Sequence, residues 1–187
     1  MRTVGIIGGS FNPPHAGHLH IGAEAKRLTG ADEIWLWVSR NIFKDASEYA
    51  PLPARMHACQ LLTQGLDWVK PVGIEKDFYD TMTATSMTML AAMYPCTRFI
   101  WIFGDDNFSA FHTWNREMFS VDGKVVQDWQ YLLNSFPIAV MHRPGYREKA
   151  LQSVAHAYGQ KMFLEDPSAL SRSQYGWAFL DNETMTV

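Results

Sequence analysis

Residues 9–18 read GSFNPPHAGH, and their types suit a turn that handles anions. Gly8 and Gly9 leave backbone N–H groups with no side chain to block an approaching phosphate, and Ser10 and Phe11 extend the row of donors. Pro13 and Pro14 stiffen the turn before any ligand arrives. His15 and His18 stand three apart at the start of a helical stretch, hence roughly on one face and above its positive end. Imidazoles there can donate hydrogen bonds to phosphate oxygens and carry positive charge as negative charge builds up. The chemistry is that of a phosphate under attack, with His15 and His18 as catalytic candidates and Gly9, Ser10 and Phe11 as the phosphate cradle.

Three other chemistries fit less well. No Gly-Lys-Ser/Thr follows, so the stretch is not a Walker loop. The run from Gly8 to Asn12 breaks the G-x-G-x-x-G spacing of a dinucleotide fingerprint, and the second strand runs out at Ser39 and Arg40 where that fingerprint needs an acid. A zinc set of His15, His18 and His20 is disfavoured, because His20 points off the shared face and no nearby Cys or carboxylate completes it.

These residues need elements to hold them. TVGIIG is a short β-branched run stopping at glycines, a buried strand. AGHLHIGAEAKRLTG reads as a helix closed by Gly30, and ADEIWLWVSR as a second strand. Strand, glycine-rich turn, helix and strand make a βαβ unit with a right-handed crossover. The alternation continues: ARMHACQLLTQGL is an amphipathic helix, VKPVGIEKD a strand, and TSMTMLAAMYP a helix stopped before Pro95. TRFIWIFGDDN and FPIAVMHRPGY add strands that end near Gly104 and Arg143. The expected fold is α/β: a Rossmann-like, doubly wound, mostly parallel sheet with helices on both faces. Ligands of such sheets sit beyond the carboxyl ends of the strands, where residues 9–18, 104–107 and 142–146 all fall.

The 187 residues suffice for one domain with a proper core, at 47% hydrophobic content. A net charge of -3 and a pI near 6.1 argue against a nucleic-acid binder. No apolar run is long enough to cross a bilayer, and the N-terminus lacks a secretory h-region. Cys59 and Cys96 are scattered thiols without metal spacing, which points to a reducing compartment, the cytoplasm by default. Many aromatics permit a homodimer, though no heptad or patch specifies one.

GGSFNPPHAGHL resembles the signature of the nucleotidyltransferase superfamily with the core motif H-x-G-H, which His15-Ala16-Gly17-His18 matches in full. Within it the chain most resembles the bacterial nicotinate-nucleotide adenylyltransferases. TRFIWIFGDDNFSAFHTW is similar to that family's strand, G-x-D and F-x-x-W; FPIAVMHRPGY is similar to its R-P-G-Y turn, and LPARMHACQLL to its R-x-x-M helix. The resemblance implies joining of nicotinate mononucleotide and ATP to give deamido-NAD and pyrophosphate in NAD biosynthesis, without a covalent intermediate, with Mg²⁺ arriving on ATP. It implies that His18 contacts the α-phosphate with His15 beside it. Lys44 would reach the outer phosphates, though a solvated loop lysine is an equal reading. Gly104 and Asp106 would hold the adenosine ribose. Trp114 would stack on the pyridine, with plain core packing as the competing role, and Thr83 would meet the nicotinate carboxylate. Arg55 and Arg143 fall in the site region by similarity only.

Three departures accompany the likeness. The family segment S-Y-T-x-D-T is TMTATS here, residues 81–86, which leaves acid-versus-amide preference at the pyridine open. The stretch after Trp114 is longer than the family norm, and Asp122-Gly123 between alternating flanks predicts an inserted hairpin within residues 115–128. The closing I-S-S-T-x-I-R motif does not occur before Val187; the expectation is a chain cut short of it. A phosphopantetheine or nicotinamide-mononucleotide adenylyltransferase, or a nucleotide-binding module without catalysis, remain the alternatives.

Overall fold

The computed structural model describes residues 1–40, 46–73 and 82–181. β1 (Arg2–Gly9) is the apolar run expected, with residues 3–7 all buried. α1 (Ala16–Thr29) follows and stops at Gly30, whose φ of 72° lets its N–H turn back to Lys26 O at 3.0 Å. β2 (Glu33–Val38), α2 (Leu52–Leu62) and β3 (Val69–Val72) complete one half. α3 (Thr83–Met93), β4 (Thr97–Gly104) and the short α4 (Asp105–Ser109) open the other. A hairpin of β5 (Met118–Val121) and β6 (Lys124–Gln127) comes next, then α5 (Asp128–Ser135), β7 (Pro137–Met141), α6 (Arg147–Leu151), α7 (Val154–Gly159) and β8 (Gly176–Leu180).

The six long-sheet strands lie in the order β3-β2-β1-β4-β7-β8, and every neighbouring pair is parallel. The chain therefore starts at the centre, winds outward through β2 and β3, and returns to the other side of β1. Strand order reverses between β1 and β4, which opens a crevice at their carboxyl ends. α1 and α2 cover one face around Leu36, Ile100 and Cys59. α3 and α5 cover the other around Trp101, Met87 and Leu132. Trp177, fully buried on β8, donates its indole N–H to Gly159 O at 2.8 Å and so fixes α7 against the sheet edge. In the hairpin, which pairs antiparallel, Asp122 and Gly123 take φ of 49° and 76°, the left-handed pair of a two-residue turn.

β1 is squeezed on both sides, and Gly8 is where this matters to the site. A Cβ at Gly8 would lie 2.5 Å from Trp101 Cη2, inside contact distance of a rigid ring. Gly8→Ala is therefore expected to destabilise the fold by about 1–3 kcal/mol. Urea unfolding checks it, and an unchanged midpoint would show that the indole shifts freely.

Candidate active site

β1 ends where Gly9 O accepts the Ser39 N–H at 2.9 Å, so Ser10 and Phe11 lie past the ladder. Phe11 holds a φ of 46°, a conformation that costs a non-glycine residue about 1 kcal/mol. Burial of its ring, 2% exposed, offsets that cost. The ring packs against His18 at a centroid distance of 4.8 Å. Phe11 thus contributes main chain to the cradle and side chain to the floor. The turn is pinned from below. Arg55, 4% exposed, donates Nη1 to Ser10 O at 2.5 Å and to Ser39 O at 2.8 Å, and Nε to Ala50 O at 2.8 Å. Asn12 donates to Glu48 O and accepts from the Ala50 N–H, tying the same loop from the other side. Arg55 holds backbone carbonyls here instead of facing the crevice.

His15 is the N-cap residue of α1 and His18 is three residues into it. The His15 N–H donates to His18 Nδ1 at 3.1 Å, which leaves the proton of a neutral His18 on Nε2. The two rings lie 3.9 Å apart between centroids. Partial burial lowers the His18 pKa below 6.5, helped by the neighbouring His15 and then by the positive charge of Arg143. His20 stands apart from this pair, its Nε2 buried without a partner.

Arg143 belongs to the second wall. Its Nη1 meets Asp106 Oδ2 at 3.1 Å, and its backbone N–H donates to Asp105 Oδ1 at 2.9 Å. The other oxygen of Asp106 is buried and unpartnered. Gly104 lies directly under Asp106 Oδ1 and Arg143 Nε, so a side chain there would displace one or both. Gly9, Ser10, Phe11, His15, His18, Gly104, Asp106 and Arg143 therefore gather at the crevice between β1 and β4.

Thr83 and Trp114 stand on the opposite face of the same sheet edge. α3 runs back along the sheet, so its N-terminal residue Thr83 lies at the carboxyl end of the strands. No side chain caps that first turn. Thr85 donates to Glu117 at 2.5 Å, joining α3 to the segment after Trp114. Trp114 is half-buried, edge-on to Phe111 at 5.0 Å and tilted to Phe103 at 5.9 Å. Lys44 lies outside the described residues.

A cytidylyltransferase-like family model matches residues 6–178. A protein of Agrobacterium fabrum named "Probable nicotinate-nucleotide adenylyltransferase" is 36% identical over 99% of this chain and 94% of its own length. One of the same name from Cereibacter sphaeroides is 37% identical over 96% of this chain and 90% of its own. The chain belongs to the nicotinate-nucleotide adenylyltransferase family. Among solved structures, the Plasmodium falciparum nicotinic acid mononucleotide adenylyltransferase complexed with NaAD superposes with a TM-score of 0.67 at 14% identity. It covers 98% of this chain and 78% of that one. At that identity the likeness speaks for the fold, which is the Rossmann-like nucleotidyltransferase sheet.

Family motifs point to Asp106 and pass over Asp105 beside it. Asp105 is fully buried and holds His142 Nδ1 at 3.0 Å as well as the Arg143 N–H. Two adjacent acids after an apolar strand were the available signal: one of them had to face inward.

His18 should titrate below 6.5 by NMR, and His15→Ala should move its midpoint upward. Between 6.5 and that midpoint the unfolded chain binds a proton that folded His18 refuses. His18 therefore costs the fold nothing above 6.5 and destabilises it as pH falls through the folded midpoint. Thermal scans of His18→Asn should show a shallower acid loss of Tm; an identical slope would contradict the assignment.

Proposed function

We propose that this protein joins ATP and nicotinate mononucleotide to give deamido-NAD and pyrophosphate, a step of NAD biosynthesis. The observation that carries the reading is a His15–His18 pair at the end of β1 with the Arg143–Asp106 pair at the end of β4, near enough for the Arg143 charge to act on His18. A 5'-phosphate oxygen of the mononucleotide attacks the α-phosphorus of ATP, forming one P–O bond as the bond to pyrophosphate breaks. No protein nucleophile takes part, so the chain's work is alignment and charge stabilisation.

His18 meets the α-phosphate through Nε2, the nitrogen left over once Nδ1 accepts the His15 N–H. His15 lies beside it, and the Ser10 and Phe11 N–H groups with Gly9 form the cradle. Lys44 is assigned to the outer phosphates on the family likeness alone. Asp106 Oδ1, buried and unpartnered over Gly104, is an acceptor suited to a ribose hydroxyl. Trp114 offers the pyridine a flat face, and the uncapped first turn at Thr83 offers N–H groups to the nicotinate carboxylate. Arg55 acts from beneath, through the Ser10 carbonyl.

Mg²⁺ enters with ATP as part of the substrate. We read residues 1–187 as one nucleotidyltransferase domain, since both helical layers pack on one sheet. Free Cys59 and Cys96 suit the cytoplasm, where we place it, and no helix among the described residues is long and apolar enough to cross a membrane.

Incubation with ATP, Mg²⁺ and nicotinate mononucleotide, nicotinamide mononucleotide or phosphopantetheine, following pyrophosphate, tests the reading. Release is expected to be strongest with the nicotinate substrate, and His18→Ala is expected to lose about 10²–10³-fold in kcat. Turnover of phosphopantetheine alone would overturn the acceptor, and ATP binding without release from any acceptor would overturn catalysis.

A further inference from the structure

Asp105 is the most deeply buried carboxylate among the described residues, at the first turn of α4, and has no part in the reaction assigned above. A buried carboxylate is tolerated only when its oxygens are satisfied. Here all the satisfaction comes from one segment of six residues, 142–147. Oδ1 accepts the Arg143 backbone N–H at 2.9 Å, Oδ2 accepts from His142 Nδ1 at 3.0 Å, and Arg147 Nε stands at ion-pair distance, 3.7 Å. The cost of burying the charge is recovered only if the turn from β7 into α6 closes down on the end of β4. That turn is held elsewhere as well: the His142 N–H donates to Leu180 O at 3.2 Å, and Arg147 binds Asp181 at 2.7 Å while lying 3.9 Å over the Phe179 ring.

The consequence concerns Arg143. Its backbone is fixed by Asp105 and its guanidinium by Asp106, one residue further along. Adjacent carboxylates thus grip the two ends of a single arginine, and only the second faces the crevice. We infer that Asp105 is a positioning residue for the transfer reaction, setting Arg143 between Asp106 and His18 by clamping its backbone N–H. The inference rests on the function proposed above. It adds a residue that does not touch substrate and acts through Arg143.

A purely structural anchor would lower stability whatever stands at position 143, whereas a positioning residue loses its purpose once Arg143 is gone. The experiment is a double-mutant cycle of Asp105→Ala and Arg143→Met, read by pyrophosphate release at varied ATP and by NMR titration of His18. Asp105→Ala alone should lower kcat/KM for ATP about tenfold. In the Arg143→Met background it should change kcat/KM less than about twofold. Asp105→Asn, which keeps an acceptor for the Arg143 N–H, should restore most of the activity. The His18 midpoint should rise in Asp105→Ala toward the value in Arg143→Met, because an unclamped Arg143 no longer holds its positive charge near His18.

Multiplicative losses in the cycle, wild-type kinetics in Asp105→Ala, or a His18 midpoint unmoved by Asp105→Ala would each overturn the inference. Should Asp105→Ala not fold, Asp105→Ser carries the same comparisons, since its shorter side chain falls short of the Arg143 N–H. If the wild-type protein releases no pyrophosphate, the proposed activity falls, and the His18 titration still decides whether Asp105 places Arg143.

Discussion

The parallel pairing of β1 with β2 on one side and β4 on the other constrains everything else in this molecule. Parallel strands need crossovers, and a strand flanked by crossovers running in opposite directions leaves a gap above its end that no connection can cover. Gly8 and Gly9 stand at that gap, with Trp101 filling the space Gly8 leaves. Chain that leaves β1 there must turn at once into α1, and chain that leaves β4 must turn into α4. Both helices start beside the same opening. Their first residues, His15 with His18 on one side and Asp105 with Asp106 on the other, are neighbours because of strand order.

The opening then has to be kept from collapsing. Its backbone groups lie beyond the ladder, and two buried charges hold them. Arg55 binds the carbonyls of Ser10, Ser39 and Ala50 from below, and Asp105 binds the Arg143 N–H from the side. They are complementary devices: a cation with several donors gathers carbonyls, and an anion with two acceptors gathers donors. Each charge is shielded from solvent, Arg55 satisfied by main-chain carbonyls and Asp105 by the Arg143 N–H together with the His142 ring. The groups left facing the crevice are the histidine pair, Arg143 and one oxygen of Asp106.

Much of this was legible from local signals. The apolar run of β1, the Gly30 stop of α1 and the His-x-Gly-His spacing each depend on a few contiguous residues, and the sheet follows from their alternation. α5 and β8 were harder. Neither was assigned an element from sequence: Asp128–Ser135 spans only about two turns and Gly176–Leu180 only five residues, too short to show a period. Side-chain roles at long range were not legible at all. Arg55 is 45 residues from Ser10, and nothing in R-x-x-M says that its guanidinium points down into carbonyls. Asp105 and Asp106 are chemically identical in sequence; only the register of α4 against the His142 turn separates the buried one from the one at the crevice.

That separation bears on how two anions can be brought together without a protein nucleophile. Aligning two bound reactants can lower a barrier by about 7–11 kcal/mol, but only if the groups that hold them do not themselves move. On the proposed reading one substrate lies over α1, on the face covered by α1 and α2. The other lies by Thr83 and Trp114, on the face covered by α3 and α5. Between them runs the sheet edge, where buried Arg55 holds the turn after β1 and buried Asp105 holds the turn after β7. Mutual repulsion of the phosphates would tend to push the two walls apart. A cation can oppose that repulsion only if it is held in place, and Arg143 is held twice, its backbone and its guanidinium anchored to consecutive residues of one short helix.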